Sequence, residues 1–274
     1  MDGLARPFDP AGGARRPVLP FSILDFVPFC ALLAVGWGLA WVGVVSIPAA
    51  RVVGVAGFHG ALLAGALADG RRVWRRGTPG LVCTGLLLIA ATLSHASVWG
   101  SASYLAVPVA VGIFTFRDQA RGDLGLPLRW DPGAVALGLA VGLFLGVHLL
   151  ISASRTLGYQ IRLSPLAPIL AALAYDAGAN VCSAECFFRG ALFGRWQRRW
   201  GFWRAAGAAT GLSVIRYLFD PALPRSIEVV TGVVFYLSLL GLSGCALVWW
   251  SGSLLPSAAA SLAFFSAYRT LAGW

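Results

Sequence analysis

Residues 183–194 read SAECFFRGALFG, placing Glu185 and Arg189 four residues apart inside an apolar run. Ionisable residues are rare in membrane helices because each costs about 2.5–3.5 kcal/mol at the helix centre on insertion scales. A spacing of i, i+4 puts the two on one helix face, within reach of an ion pair. Two readings stay open at this point. One is a paired charge near a helix end, with Arg189 reaching toward the basic GRWQRR segment (194–199) that follows. The other is an acid–base site facing the interior of a helical bundle. Glutamate is otherwise confined to Glu228, so this carboxylate is not one of many.

The surroundings decide the fold class. Of 274 residues, 58% are hydrophobic and 12% charged. Soluble domains carry about 25% charged residues, so the chain reads as an integral membrane protein. All basic residues are arginine, which with the abundance of Ala and Gly points to GC-rich coding and a bacterial plasma membrane. The net charge of +10 does not mark a nucleic-acid binder, because the arginines lie in short clusters between apolar segments. Cys30, Cys83, Cys182, Cys186 and Cys245 all sit in apolar stretches without a CxxC, so neither a disulfide framework nor a zinc knuckle is expected.

A span needs roughly 17–25 mostly apolar residues. The expected spans are Phe26–Ile47, Val52–Leu67, two within residues 80–116, Gly133–Ile151, Pro165–Arg195, Ala205–Leu218, Glu228–Val248 and Leu254–Leu271. The run 80–116 is too long for one helix, and His95, Ser97, Gly100 and Ser101 divide it. Gly138, Gly142 and Gly146, at four-residue spacing, make a face where another helix can approach closely. The expected fold is therefore all-α: a polytopic transmembrane helical bundle of eight helices, plus or minus one. Its parts are a cytoplasmic tail (1–22), N-terminal membrane helices (23–116) and a core (117–274). Arginine clusters at RRVWRR, RDQAR and GRWQRR fall on one side by this topology, which places the N-terminus in the cytoplasm.

The segment AECFFRGALFGRW resembles the first motif, Glu-Glu-x-x-x-Arg, of the CPBP family (CAAX protease and bacteriocin-processing) of intramembrane proteases. RGDLGLPLRW, GRWQRRWGFWRAA and GLSGCALVWWSGSLLPSAAAS are similar to the segments that precede and link that family's later motifs. The resemblance extends over about residues 120–270. It implies a CAAX-protease-like core and an endopeptidase acting on membrane-associated peptides or proteins. Glu185 and Arg189 occupy the second Glu and the Arg of the motif.

The remaining motif positions depart from the family. Where the resemblance requires the first Glu, the proposed general base, this chain has Ala184. The Phe-x-x-x-His motif falls on Ser213 and Tyr217, and the His-x-x-x-Asn motif on Ser261 and Phe265. A phenyl ring neither donates nor accepts a hydrogen bond, and Ser, Tyr and Phe are poor zinc ligands. No cofactor is expected. The alternative is a catalytically inactive pseudoprotease, a membrane-binding or chaperone-like protein whose partners are lipids and a membrane-associated polypeptide. His59, His95 and His148 are the only histidines, and a membrane histidine is more often a helix–helix hydrogen-bonding residue than a catalyst. Arg216 is expected to pair with Asp220 at i+4. A rhomboid-type serine protease is excluded by the lack of any histidine after residue 148; repeated halves, the mark of many transporters, are absent, and a transporter subunit would be favoured by a continuous polar path across the bundle.

Overall fold

The computed structural model describes Val42 and residues 46–67, 78–120, 126–161, 165–218 and 226–272. The chain is all-α, with eight helices among the described residues. They are α1 (Ile47–Leu67), α2 (Thr78–Ala96), α3 (a 3₁₀ turn Trp99–Leu105 continuing as Ala106–Ala120) and α4 (Pro132–Leu157). Then follow α5 (Leu166–Trp200), α6 (Phe202–Leu218), α7 (Ile227–Ser251) and α8 (Leu255–Tyr268). Six of these are long and apolar enough to cross a membrane. Large side chains such as Phe144, Leu81 and Val109 are 69%, 64% and 61% exposed. Water would penalise so much apolar surface, whereas acyl chains do not. This is a multi-pass membrane protein.

The helix boundaries follow from local chemistry. α1 begins five residues before the expected Val52. Ser46 caps it, its Oγ accepting from the Ala49 N–H at 3.4 Å, and Pro48 is tolerated in the first turn because no backbone partner is required there. The 21-residue helix is thus long enough to span, which Val52–Leu67 alone was not. The expected division of 80–116 is present: α2 stops at Ala96, and the Ser97 hydroxyl accepts from the Trp99 N–H at 3.2 Å to open the 3₁₀ turn. Asp131 caps α4 by accepting from Ala134 N–H at 3.1 Å, with Pro132 in the first turn. The span expected at Phe26–Ile47 lies almost wholly outside the described residues.

The helices fall into two compact units. One comprises α1, α2, α3 and α5 up to Phe187; the other comprises α4, α5 from Phe188 onward, α6, α7 and α8. In the first, α1 packs along α2, where Cβ atoms added at Gly60 and Gly80 would run into Thr84 and Ala64. In the second, α4 and α8 make the most extensive contact. The glycine face expected on α4 is the contact surface. A Cβ at Gly138 or Gly142 would overlap the carbonyl of Pro256 or Ala260, and one at Gly146 would lie 2.6 Å from the Ala267 Cβ. Two-residue strands Gln160–Ile161 and Leu271–Ala272 pair antiparallel where α4 and α8 end.

Backbone on backbone cannot yield as a flexible side chain can, so a single methyl group at Gly142 forces the two helices apart. Overpacking of this kind costs about 1–3 kcal/mol. Gly142→Ala is expected to lower the thermal unfolding midpoint of the purified protein in detergent. Gly232→Ala, where an added Cβ meets nothing within 4 Å, is expected to leave it unchanged.

Candidate functional site

The opening stretch lies on α5, and this helix is not uniformly α. Two π-helical segments, Asp176–Val181 and Glu185–Phe193, interrupt it, separated by Cys182–Ala184. A π turn closes i→i+5 hydrogen bonds, is rare, and occurs frequently at functional sites. Regular α winding therefore does not hold along this helix. The π segments carry an unusual load for a membrane interior. Asp176, Asn180, Glu185 and Arg189 are 0%, 7%, 3% and 4% exposed, and Ser183 between the segments is fully buried.

In the first unit these polar groups meet α1. The His59 ring lies 2.7 Å from Ser183 Oγ through Nδ1 and 3.2 Å from the Tyr175 hydroxyl through Nε2. Ser183 Oγ also donates to the Asn180 carbonyl at 3.3 Å, and Asn180 Nδ2 donates to Asp176 Oδ1 at 3.2 Å. The roles follow the tautomer: with Nδ1–H the ring donates to Ser183 and Tyr175 donates to Nε2, and with Nε2–H Ser183 donates to Nδ1 and the ring donates to Tyr175. The Tyr175 ring is fixed edge-on to Tyr104 at 5.3 Å, and the Gly178 backbone lies against the Tyr104 carbonyl with no room for a side chain.

A serine and an imidazole at this distance have the spacing of a nucleophile and its base. Here, however, Ser183 is wholly enclosed and offers no surface to a substrate. The arrangement ties α1 to α5, the helix–helix role expected for a membrane histidine. Ser183 and Tyr175 were not singled out from sequence as its partners. Ala184, Glu185 and Cys186 follow directly, each buried. His95, at the end of α2, is exposed.

In the second unit the centre is Arg189. Its Nη1 donates to Ser213 Oγ at 3.1 Å on α6. The guanidinium passes over two glycines of α7: a Cβ at Gly241 would lie 3.0 Å from Nη2, and one at Gly244 would lie 3.5 Å from Nε. Thr210 on α6 and Ser257 on α8 face the same glycines, and both are buried. The sequence signals were GLSG at 241–244 and hydroxyls at 210 and 213, three residues apart on one helix face. Neither announces an arginine as its partner.

Three of the substituted motif positions also lie in this unit. Tyr217 of α6 and Phe265 of α8 stack at 5.7 Å between ring centroids, inclined by 30°. Ser261, one turn before Phe265, is buried. Arg216 lies with its guanidinium 4.5 Å above the Tyr217 ring; its expected partner Asp220 is outside the described residues. Phe264 packs on Tyr236, whose hydroxyl is 2.7 Å from His148 Nδ1, so His148 is engaged between α4 and α7. Among the described residues no three His, Cys, Asp or Glu side chains converge closely enough to hold a metal ion.

No protein-family model, curated protein or solved structure matches the chain.

Removing the Ser183 hydroxyl takes away the hydrogen-bond partner at the buried His59 Nδ1, which costs about 1–3 kcal/mol. Ser183→Ala is expected to lower stability against denaturant by that amount. Thr92→Ala, at an exposed hydroxyl, is expected to stay within about 0.5 kcal/mol of the parent.

Proposed function

We propose that this multi-pass membrane protein is a CPBP-like pseudoprotease: a membrane-binding or chaperone-like protein built on the CAAX-protease core without its hydrolytic set. The N-terminus lies in the cytoplasm of a bacterial cell by the arginine distribution. The observation that carries the reading is the stack of Tyr217 on Phe265. The resemblance requires a histidine at the first position and an asparagine at the second, two polar groups serving one reacting centre. Here the side chains at those two positions are aromatic rings in contact with each other. Peptide hydrolysis needs a base for water and donors for the developing oxyanion, together worth many powers of ten in rate. A phenyl ring supplies neither. The base position itself is Ala184, buried and without a functional group.

The retained Glu185 and Arg189 fit the same reading as elements of the fold. Arg189 reaches α6 through Ser213 and seats against the glycines of α7, which organises three helices around one guanidinium. A second reading, an intramembrane endopeptidase that uses Glu185 as its base, is favoured by one observation: the buried carboxylate opens a π-helical segment, a geometry frequent at functional sites.

The two readings part in one experiment. The purified chain, reconstituted in proteoliposomes with transmembrane and prenylated CAAX peptides, is expected to release no fragment above the protein-free rate, and Glu185→Gln is expected to behave identically. Cleavage by the parent protein that Glu185→Gln abolishes would establish the endopeptidase.

A further inference from the structure

The second unit gathers arginine and tryptophan at one of its ends. α5 finishes at Trp200 and α6 starts at Phe202, so the chain reverses on a single residue, Gly201, whose φ of 75° only glycine adopts readily. This tight elbow brings Arg198, Arg199 and Arg204 together on exposed surface with Trp200 and Trp203, which are 43% and 78% exposed. Phe202 contacts Trp249 at 5.5 Å, which fixes the last turn of α7, with exposed Trp249 and Trp250, beside the elbow. The segment just after α7 binds the segment before α4: Ser253 Oγ accepts from the Arg129 N–H at 3.1 Å and donates to the Arg129 carbonyl at 2.7 Å. Exposed Arg129 and Trp130 thereby join the same end, Trp130 at 76% exposure.

At the opposite end of this unit, where α6 stops, α7 starts and the two short strands pair, no tryptophan occurs among the described residues. There α7 opens with Glu228. Exposed Arg155 and Arg269 also lie at that end, so the two ends differ by the tryptophans and not by the sign of their charge. Tryptophan concentrates at the boundary of acyl chain and headgroup, where its ring is apolar and its N–H is satisfied by water or phosphate. Clustered arginines beside such a belt attract anionic headgroups, and the planar guanidinium matches the phosphate oxygens two at a time. The Trp196 and Trp200 rings stack at 5.0 Å along the last turn of α5.

We propose that this end is a binding surface for the headgroups of anionic phospholipids, with Arg129, Arg198, Arg199 and Arg204 engaging the phosphates while Trp130, Trp200, Trp203 and Trp250 sit at the acyl boundary. The partner is a lipid of the adjoining leaflet rather than a polypeptide. The surface combines four exposed arginines and the one exposed carboxylate of Asp131 with exposed tryptophans, and it needs no shape complement. This assignment is independent of the pseudoprotease reading, since none of these residues belongs to the Arg189 centre or to the Tyr217–Phe265 stack.

The test uses the full chain in bilayers of phosphatidylcholine containing a fixed fraction of brominated phosphatidylglycerol or, separately, brominated phosphatidylcholine. Quenching of tryptophan fluorescence gives the relative association constant of the two lipids. The parent protein is expected to favour phosphatidylglycerol roughly fivefold or more at low salt, with the preference shrinking as salt rises. The quadruple variant R129Q/R198Q/R199Q/R204Q alters only exposed side chains. It is expected to keep its thermal midpoint and lose the preference. Equal quenching by the two lipids in the parent protein, or an undiminished preference in the quadruple variant, overturns the proposal.

Discussion

An arginine sealed among apolar helices constrains everything packed around it. Arg189 is 4% exposed, and a guanidinium carries five N–H donors that cannot be silenced by deprotonation. A site that admits it must supply oxygen acceptors and backbone space at once. α6 supplies the Ser213 hydroxyl, and α7 supplies the space through Gly241 and Gly244, where any side chain would collide with the guanidinium or with Thr210 and Ser257. The glycines of α7 and the hydroxyls of α6 and α8 are therefore one solution to one problem. The same logic operates on a smaller scale in the other unit, where Ser183 and Tyr175 stand at the two nitrogens of His59.

Lipid offers no competing hydrogen bonds and little hydrophobic drive for one helix to join another, so packing rests on close approach and on polar contacts. Both are present in separable form. The α4–α8 contact is carried by glycines that bring backbone against backbone. The α1–α5 contact is carried by an imidazole with both nitrogens engaged. Under the proposed function, the aromatic pair Tyr217–Phe265 belongs to the first kind of solution: where hydrolytic chemistry would need an open polar centre, side-chain volume closes α6 against α8.

Much of the fold was legible in the residues. Apolar runs, the interruption at 95–101 and the four-residue glycine spacing of α4 lead directly to the helices and to one of their contact faces. The start of α1 was misplaced, because Pro48 and Arg51 break the apolar run while Ser46 and a first-turn proline are compatible with an earlier beginning. The site was less legible. Glu185 and Arg189 stood out by rarity alone, but the π winding of α5 follows from no residue preference that a linear reading can weigh. Partners such as His59 and Ser183 lie 124 residues apart in the chain, so their meeting depends on how helices are arranged and not on any local pattern. The contact of Tyr217 with Phe265 likewise joins two helices and has no local sequence signal.

Under the proposed function, Tyr217 and Phe265 close α6 against α8 by packing on each other, and a double-mutant cycle tests this most directly. Unfolding free energies would be measured for the parent, Tyr217→Ala, Phe265→Ala and the double variant in one detergent. Stacked rings are worth about 0.5–1.5 kcal/mol beyond their burial, and a favourable coupling of that size is the predicted result. Effects that add to within about 0.3 kcal/mol would mean the two rings do not support each other, and the account of a closed, noncatalytic centre would fail.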